Sequence, residues 1–453
     1  MSAVLTVPKT IVMPGDPGWD DARQAWNLAV DQHPAAVARP RSAQDVADAV
    51  RFARQHGLRI AAQGTGHGAA PLGSLASTIL VRTAAMRRVT IDPDAKIARA
   101  EAGAVWLDVV EAAAGHGLAA LAGSAPDVGV VGYTIGGGIS WLGRAYGLAS
   151  NNVEAIEVVT ADGRLVRADA CTEPDLFWAL RGGGGSFGVV TAIELRLFPI
   201  AEVYAGQLWW PAEAASAVLQ AWRELTQGDL PDEFTSYARI THFPAIPDIP
   251  VHLRGRSFVT LFVSHLGAPA EADTLLAPLR ALRPVTDTIR TIPAKALSHL
   301  HMDPEQPSAS VSDALTLATL PAEAIETLVR AAGPEADTLL LGAELFHIGG
   351  EMKRVRPASG ALAAIDAEYV LFAVGRAPSP QAVPSVARGV SAVHTAMRPW
   401  AARQMYLNLT ETERDPASFW APQAYERLRR IKAAVDPDNL IRSNHPVLPS
   451  QQS

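Results

Sequence analysis

The chain holds one cysteine, Cys171, among 453 residues. That excludes an internal disulfide and any cysteine-built metal site. Basic stretches are absent as well. The formal net charge is −7, which argues against general nucleic-acid binding. No run approaches the roughly 18 apolar residues of a membrane span. The opening MSAVLTVPKTIVMPGD lacks a charged region followed by a long apolar one, so no signal peptide is expected. His242, His252 and His265 do not have the spacing of a metal site. The expectation is a cytoplasmic protein, monomer or homodimer, with no metal, no membrane and no nucleic-acid partner. Its length exceeds one ordinary core and calls for two or three domains.

Glycine, by contrast, is clustered. A short β-rich run at 58–62 stops in Gln63-Gly64-Thr65-Gly66-His67-Gly68. Glycines let the backbone take positive φ and approach a ligand closely. Successive N–H groups in such a turn form a concave anion site suited to a pyrophosphate. A second cluster spans 123–152, GSAPDVGVVGYTIGGGISWLGRAYGLASNN. Side chains are scarce there, so the backbone packs against something flat or large. A third, Gly182–Gly185, follows PDLFWALR.

Between the clusters, strands, loops and helices alternate. A helix is expected at 20–30. Another covers 43–56, capped by Ser42 and stopped by Gly57. Strands are expected at 78–81, 96–100, 153–160 and 189–198, helices at 106–115 and up to Leu180, and a hairpin turn at Asp162–Gly163. Cys171 reads as an ordinary small residue, buried or half-buried. Beyond Tyr204 the helices lengthen (212–225, 269–282, 321–332, 380–397). Strands lie between them at 257–265, 310–319, 338–348 and 369–374. This portion reads as a substrate-facing antiparallel sheet with helices on one face. A last helix covers 423–435. The class is α+β, with boundaries at 1–203, 204–402 and 403–453.

The order of these motifs resembles the FAD-linked oxidases of the vanillyl-alcohol-oxidase (PCMH-type) superfamily. The branch it looks like is the berberine-bridge-enzyme-like group, which includes bacterial 6-hydroxynicotine oxidases. The likeness runs from Arg39 to Pro199 and again from Gln404 to Pro446. It implies a two-subdomain FAD-binding domain, a substrate domain, and a C-terminal segment returning to the first. It implies that Gln63, Gly64, Thr65, Gly66, His67 and Gly68 cradle the FAD pyrophosphate, and that His67 bonds covalently to the flavin. Relatives often begin this turn with Arg-Ser-Gly-Gly-His, so one cation is missing here. Many also carry a second, cysteinyl tether, and that position is Ala125, so the flavin is expected to be singly linked.

By the same resemblance Gly123, Ser124, Val128, Gly129, Gly132, Tyr133, Gly136, Gly137 and Gly138 wrap the cofactor, and Asn152 and Val190 border it. A small residue at Val128 goes with access of O2 to the flavin. The branch's C-terminal Tyr-x-Asn-Tyr reads Tyr406-Leu407-Asn408-Leu409 here. Leu409 replaces the second tyrosine, which leaves the base open. Tyr406 lines the site in similar proteins, and Asn408 could bond the flavin edge. Glu344 and His347 are rival bases on opposite faces of one strand. Tyr133 stands where relatives often have histidine. Trp209, Trp210 and Phe243 are candidates for an apolar wall. Loops 241–254 and 299–307 shape the pocket. The implied activity is oxidation of an alcohol or amine carbon of a small aromatic, polycyclic or sugar-bearing metabolite, with O2 as acceptor. An oxidative cyclase of secondary metabolism and a non-catalytic flavin-binding module are the alternatives.

Overall fold

Helix Ala43–Gln55 shows how the N-terminal half is assembled. The Ser42 hydroxyl accepts the Asp45 N–H at 3.2 Å and so satisfies one free donor of the first turn. Val46, Val50 and Ala53 recur on one stripe and are fully buried. That stripe packs into a core with Ile60, Ile79 and Val81 on one side and Val159 and Val189 on the other. The helix therefore joins two sheets. Gly57, at φ +65°, lets the chain turn into the next strand.

The computed structural model describes residues 7–247, 249–336 and 338–450. The first sheet has the order Ile11–Val12, Ala36–Ala38, Thr78–Arg82, Arg59–Gln63, Ile441–Arg442. Its last strand comes from the C-terminal segment and pairs in parallel with Arg59–Gln63. The second runs Val89–Asp92, Ile97–Glu101, Val189–Arg196, Val153–Val159, Leu165–Ala168 and is antiparallel. The return of the C-terminus is pinned by Lys432, which has no exposed surface. Its ammonium donates to Asp436 and to the carbonyls of Ser186 and Ile441.

The third sheet has eight strands, all antiparallel. Its centre is Glu202–Pro211, Ser257–His265, Phe234–His242, Leu340–His347, Tyr369–Arg376 and Ser310–Leu317. Helices Ala215–Gln227, Pro269–Arg280, Ala322–Ala332 and Val383–Met397 cover one face, over Leu208, Ala238, Leu261, Leu345 and Leu371. The opposite face, with Tyr237, Phe262, Phe346 and Val370, joins the core of the N-terminal half. Among the described residues no helix is long and apolar enough to cross a membrane.

Three expectations are corrected. The helix at 20–30 is only Trp19–Arg23, because Asn27 is drawn into a bridge with Ser308 and its amide bonds the backbone of Ser310. Cys171 is exposed, since Asp169 folds the 169–172 turn outward by accepting its N–H and that of Thr172. The glycine-rich 123–152 stretch contains an unexpected helix, Val130–Ile135. Strands Glu202–Pro211 and Phe234–His242 were also not expected. Both are covered on two faces, so neither shows a clean polar-apolar alternation.

Candidate active site

Strand Arg59–Gln63 ends in the first glycine turn. Gly66 sits at φ +95°, and a Cβ there would lie 2.9 Å from Ala25 Cα. That side is filled by Ala25 and Gln63, so only glycine fits at this position. Among the described residues, none of the N–H groups from Gly64 to Gly68 finds an acceptor. Five successive unsatisfied donors suit an anionic ligand. Gln63 contributes backbone only, because its amide pairs reciprocally with Gln32 at 3.0 Å. His67 Nδ1 lies 2.7 Å from the Thr65 hydroxyl, and its ring stacks on Trp26 with centroids 4.1 Å apart. His67 Nε2 is buried without a partner, 3.6 Å from an equally unpartnered Asp127 Oδ1.

The second glycine segment faces the first. Gly129 packs on Thr65, and Gly132 is open to solvent with nothing near its missing Cβ. Val128 is half-buried against the core. Helix Val130–Ile135 then delivers Gly136–Gly138. A Cβ on Gly136 would meet Asn408 Oδ1 at 1.7 Å, so the C-terminal segment presses directly on glycine backbone. The Tyr406 hydroxyl accepts the Gly138 N–H at 3.0 Å. Asn408 donates to the Tyr133 carbonyl at 2.8 Å and to the Tyr406 hydroxyl at 3.3 Å. Burial pushes the Tyr406 phenol well above its ordinary pKa, so it stays protonated. The Tyr133 hydroxyl is also occupied, donating to the Ile139 carbonyl at 2.7 Å, and its ionisation is likewise suppressed by burial. Asn152 donates to the carbonyls of Tyr146 and Leu148, and Val190 is buried in the core.

Sheet register brings the opposing wall together. Trp209, Thr260, Arg239, Glu344 and Phe372 lie side by side across five strands. One residue pair along lie Gln207, Phe262, Tyr237, Phe346 and Val370, an apolar row but for Gln207 at its end. Tyr237 bonds the Ser140 carbonyl, and Trp141 packs on Tyr237, which closes the two halves together. Trp209 stacks with Phe243 on this face, whereas Trp210 points into the helix-covered core. Strand alternation puts Glu344 in the first row.

Glu344 does not stand alone. Its carboxylate meets His301 Nε2 at 2.8 Å through both oxygens. The other ring nitrogen, Nδ1, meets Asp303 Oδ1 at 2.6 Å. Asp303 Oδ2 accepts the Ser124 hydroxyl at 2.9 Å. Arg239 donates to the His301 carbonyl at 3.2 Å and lies over the Phe262 ring. Burial and Arg239 oppose a charged ring, but Asp303 and Glu344 outweigh them and hold His301 up at about 9. Burial would raise Asp303, yet His301, Arg239 and Ser124 keep it well below the usual carboxylate range. A continuous chain thus runs from the sheet to the second glycine segment.

His347, the rival base, lies elsewhere. It faces Tyr369 and the buried Arg144, whose Nη1 is 3.5 Å away. Burial and Arg144 push it down to about 3, so it is neutral. Glu344 and Ser124 are among the residues expected from the sequence, whereas His301 and Asp303, which connect them, are not. The one sequence signal was that both fall in the 299–307 loop. Arg239 was missed with its strand. Among the described residues no cluster of metal-binding side chains occurs.

An FAD binding domain matches residues 34–169, and a segment described as berberine and berberine like matches 405–447. (R)-6-hydroxynicotine oxidase of Paenarthrobacter nicotinovorans is 29% identical over 477 residues, spanning 99% of this chain and 98% of that protein. Glucooligosaccharide oxidase of Sarocladium strictum is 35% identical over 228 residues, covering 48% of this chain and 45% of that protein. The crystal structure of 6-hydroxy-D-nicotine oxidase from Arthrobacter nicotinovorans superposes with a TM-score of 0.82 at 28% identity, covering 99% of this chain and 100% of that one. Berberine bridge enzyme from Eschscholzia californica shares the fold, with a TM-score of 0.81 at 19% identity over 98% of each chain.

Proposed function

Taking as premise that the chain belongs to the FAD-linked oxidoreductases built from a PCMH-type FAD-binding domain and a berberine-like C-terminal segment, we propose that it is an oxidase of a small alcohol or amine. FAD would lie in the crease between the two glycine segments. The unsatisfied N–H groups of residues 64–68 suit its pyrophosphate, and the His67 imidazole in the same turn suits a covalent tether. With Ala125 at the position of a second tether, the link would be single. The cofactor, when bound, supplies the redox chemistry by taking hydride from a substrate carbon.

The protein supplies position and proton handling. Glu344 is the proton acceptor for the substrate O–H or N–H, and His301 orients its carboxylate. Asp303 and Ser124 fix His301 against the glycine segment that borders the cofactor. This replaces the C-terminal tyrosine pair of similar proteins, of which Leu409 removes one member and burial keeps the other, Tyr406, protonated. The observation that carries the reading is this Glu344–His301–Asp303–Ser124 chain on the wall opposite His67.

The flanking Trp209, Phe258 and Phe262 favour a substrate with a flat apolar part, aromatic, polycyclic or sugar-bearing. Small Val128 favours O2 as the acceptor. A cytoplasmic, reducing location goes with an exposed free cysteine. Oxidative cyclisation in secondary metabolism uses the same groups and differs only in product. The test is a screen of alcohols and amines by anaerobic flavin bleaching, followed by oxygen uptake and product analysis. Bleaching by a substrate, abolished in Glu344→Gln, supports the reading. Flavin that no alcohol or amine reduces would favour a non-catalytic binding module.

A further inference from the structure

Asp127 sits where the two glycine segments meet. Its Oδ2 accepts the Trp26 indole N–H. Its Oδ1 is buried, has no hydrogen-bond partner among the described residues, and lies 3.6 Å from His67 Nε2. Trp26 also stacks on the imidazole, with ring planes 20° apart. On the far side the Thr65 hydroxyl lies 2.7 Å from Nδ1. Together these side chains select one tautomer. A hydroxyl donating to Nδ1 needs the lone pair there, so the ring proton sits on Nε2, toward the carboxylate.

We infer that Asp127 is a positioning residue for cofactor attachment: it holds the Nε2 proton of His67, which leaves the Nδ1 lone pair to bond the flavin 8α methyl carbon, while Trp26 keeps carboxylate and ring in register. This rests on the tether proposed above. In the step, an Nδ1–carbon bond forms and one C–H bond of the methyl breaks. The two electrons of that C–H bond would pass to the isoalloxazine of the bound FAD, and molecular oxygen would then remove them. The methyl proton and the Nε2 proton leave with those electrons as hydrogen peroxide. As Nδ1 gains its bond the imidazole becomes cationic, and a carboxylate at its other nitrogen stabilises that charge and takes the proton. The Thr65 hydroxyl yields its place at Nδ1.

The test uses full-length Asp127→Asn, Asp127→Glu and Trp26→Phe proteins purified with FAD. Total bound flavin and the acid-precipitable fraction are followed over time in air. Asp127→Asn should keep its FAD while attachment slows by about 100-fold, and Asp127→Glu should restore part of the rate. Trp26→Phe keeps the stack but loses the N–H to Asp127, so its attachment should also slow. A merely structural role would lower total and attached flavin in parallel, and that result overturns the inference. So does an Asp127→Asn protein that attaches flavin as fast as the parent. If Asp127→Asn does not fold, Trp26→Phe decides, with a parental rate counting against the inference. A parent protein whose FAD is wholly acid-soluble is a different failure, that of the tether itself.

Discussion

His301 and Glu344 are 43 positions apart in the chain, yet His301 Nε2 lies 2.8 Å from both carboxylate oxygens. Each residue is almost fully buried, and neither would be tolerated there charged and alone. The pair joins a loop to the centre of a sheet.

Replacing either partner should therefore cost catalysis more than cofactor binding. With a substrate from the screen, Glu344→Gln should lower kcat/KM by about 100-fold to 10,000-fold, and His301→Gln should follow it. Bound FAD should stay near the parental level in both. Anaerobic flavin bleaching rates, with flavin content measured alongside, check this. A full rate in Glu344→Gln would assign the base elsewhere.

The same pair gives a stability signature. The folded pKa of His301, about 9, is raised above its ordinary value of 6.5. Its stabilising contribution is therefore fully present below 6.5 and is lost as pH rises through about 9. The melting temperature of the parent minus that of His301→Gln should shrink from about pH 6 to about pH 10. His347, pushed down to about 3, has the opposite sense and penalises the fold only on the acid side of 6.5. A difference that grew with pH would mean His301 is neutral in the folded protein.

Lys432 tests the return of the C-terminus. With no exposed surface and bonds to Asp436, Ser186 and Ile441, it cannot be removed without stranding Asp436. Lys432→Ala should cost about 3–5 kcal/mol, read by denaturant unfolding. A loss within the range of ordinary surface changes would show the segment is held by packing alone.

Much of this architecture was legible from local signals. Ser42, the stripe Val46-Val50-Ala53 and Gly57 mark a helix without help from the rest of the chain. The strand expected at 257–265 coincides with Ser257–His265. The face of Leu340–His347 that carries Glu344, Phe346 and Ile348 followed from alternation, and Phe346 and Ile348 do pack toward the N-terminal half. What failed was non-local. Phe234–His242 is covered on both faces, so its sequence hid both the strand and Arg239. His301 and Asp303 stand in a loop whose conformation depends on Met302 at φ +58°, which no residue type there announces. Trp26 reads as part of a helix, and only contacts far along the chain, its stack on His67 and the bridge of Asn27 to Ser308, show why the helix stops early.

His67→Ala should release the cofactor from its bond but not from its cradle. Such a protein should still bind FAD through the 64–68 backbone, and a denaturing gel should lose the flavin fluorescence that the parent band retains. A fluorescent variant band would place the bond on another residue.

His67 is the residue proposed to carry the flavin. Trypsin cuts after Arg59 and Arg82 and releases Ile60–Arg82 with His67 inside. The mass of that peptide from the purified protein is the most direct measurement. A peptide heavier by the mass of attached FAD, with fragmentation placing it on His67, is the result predicted. An unmodified peptide, recovered in full from protein that binds FAD, would contradict it.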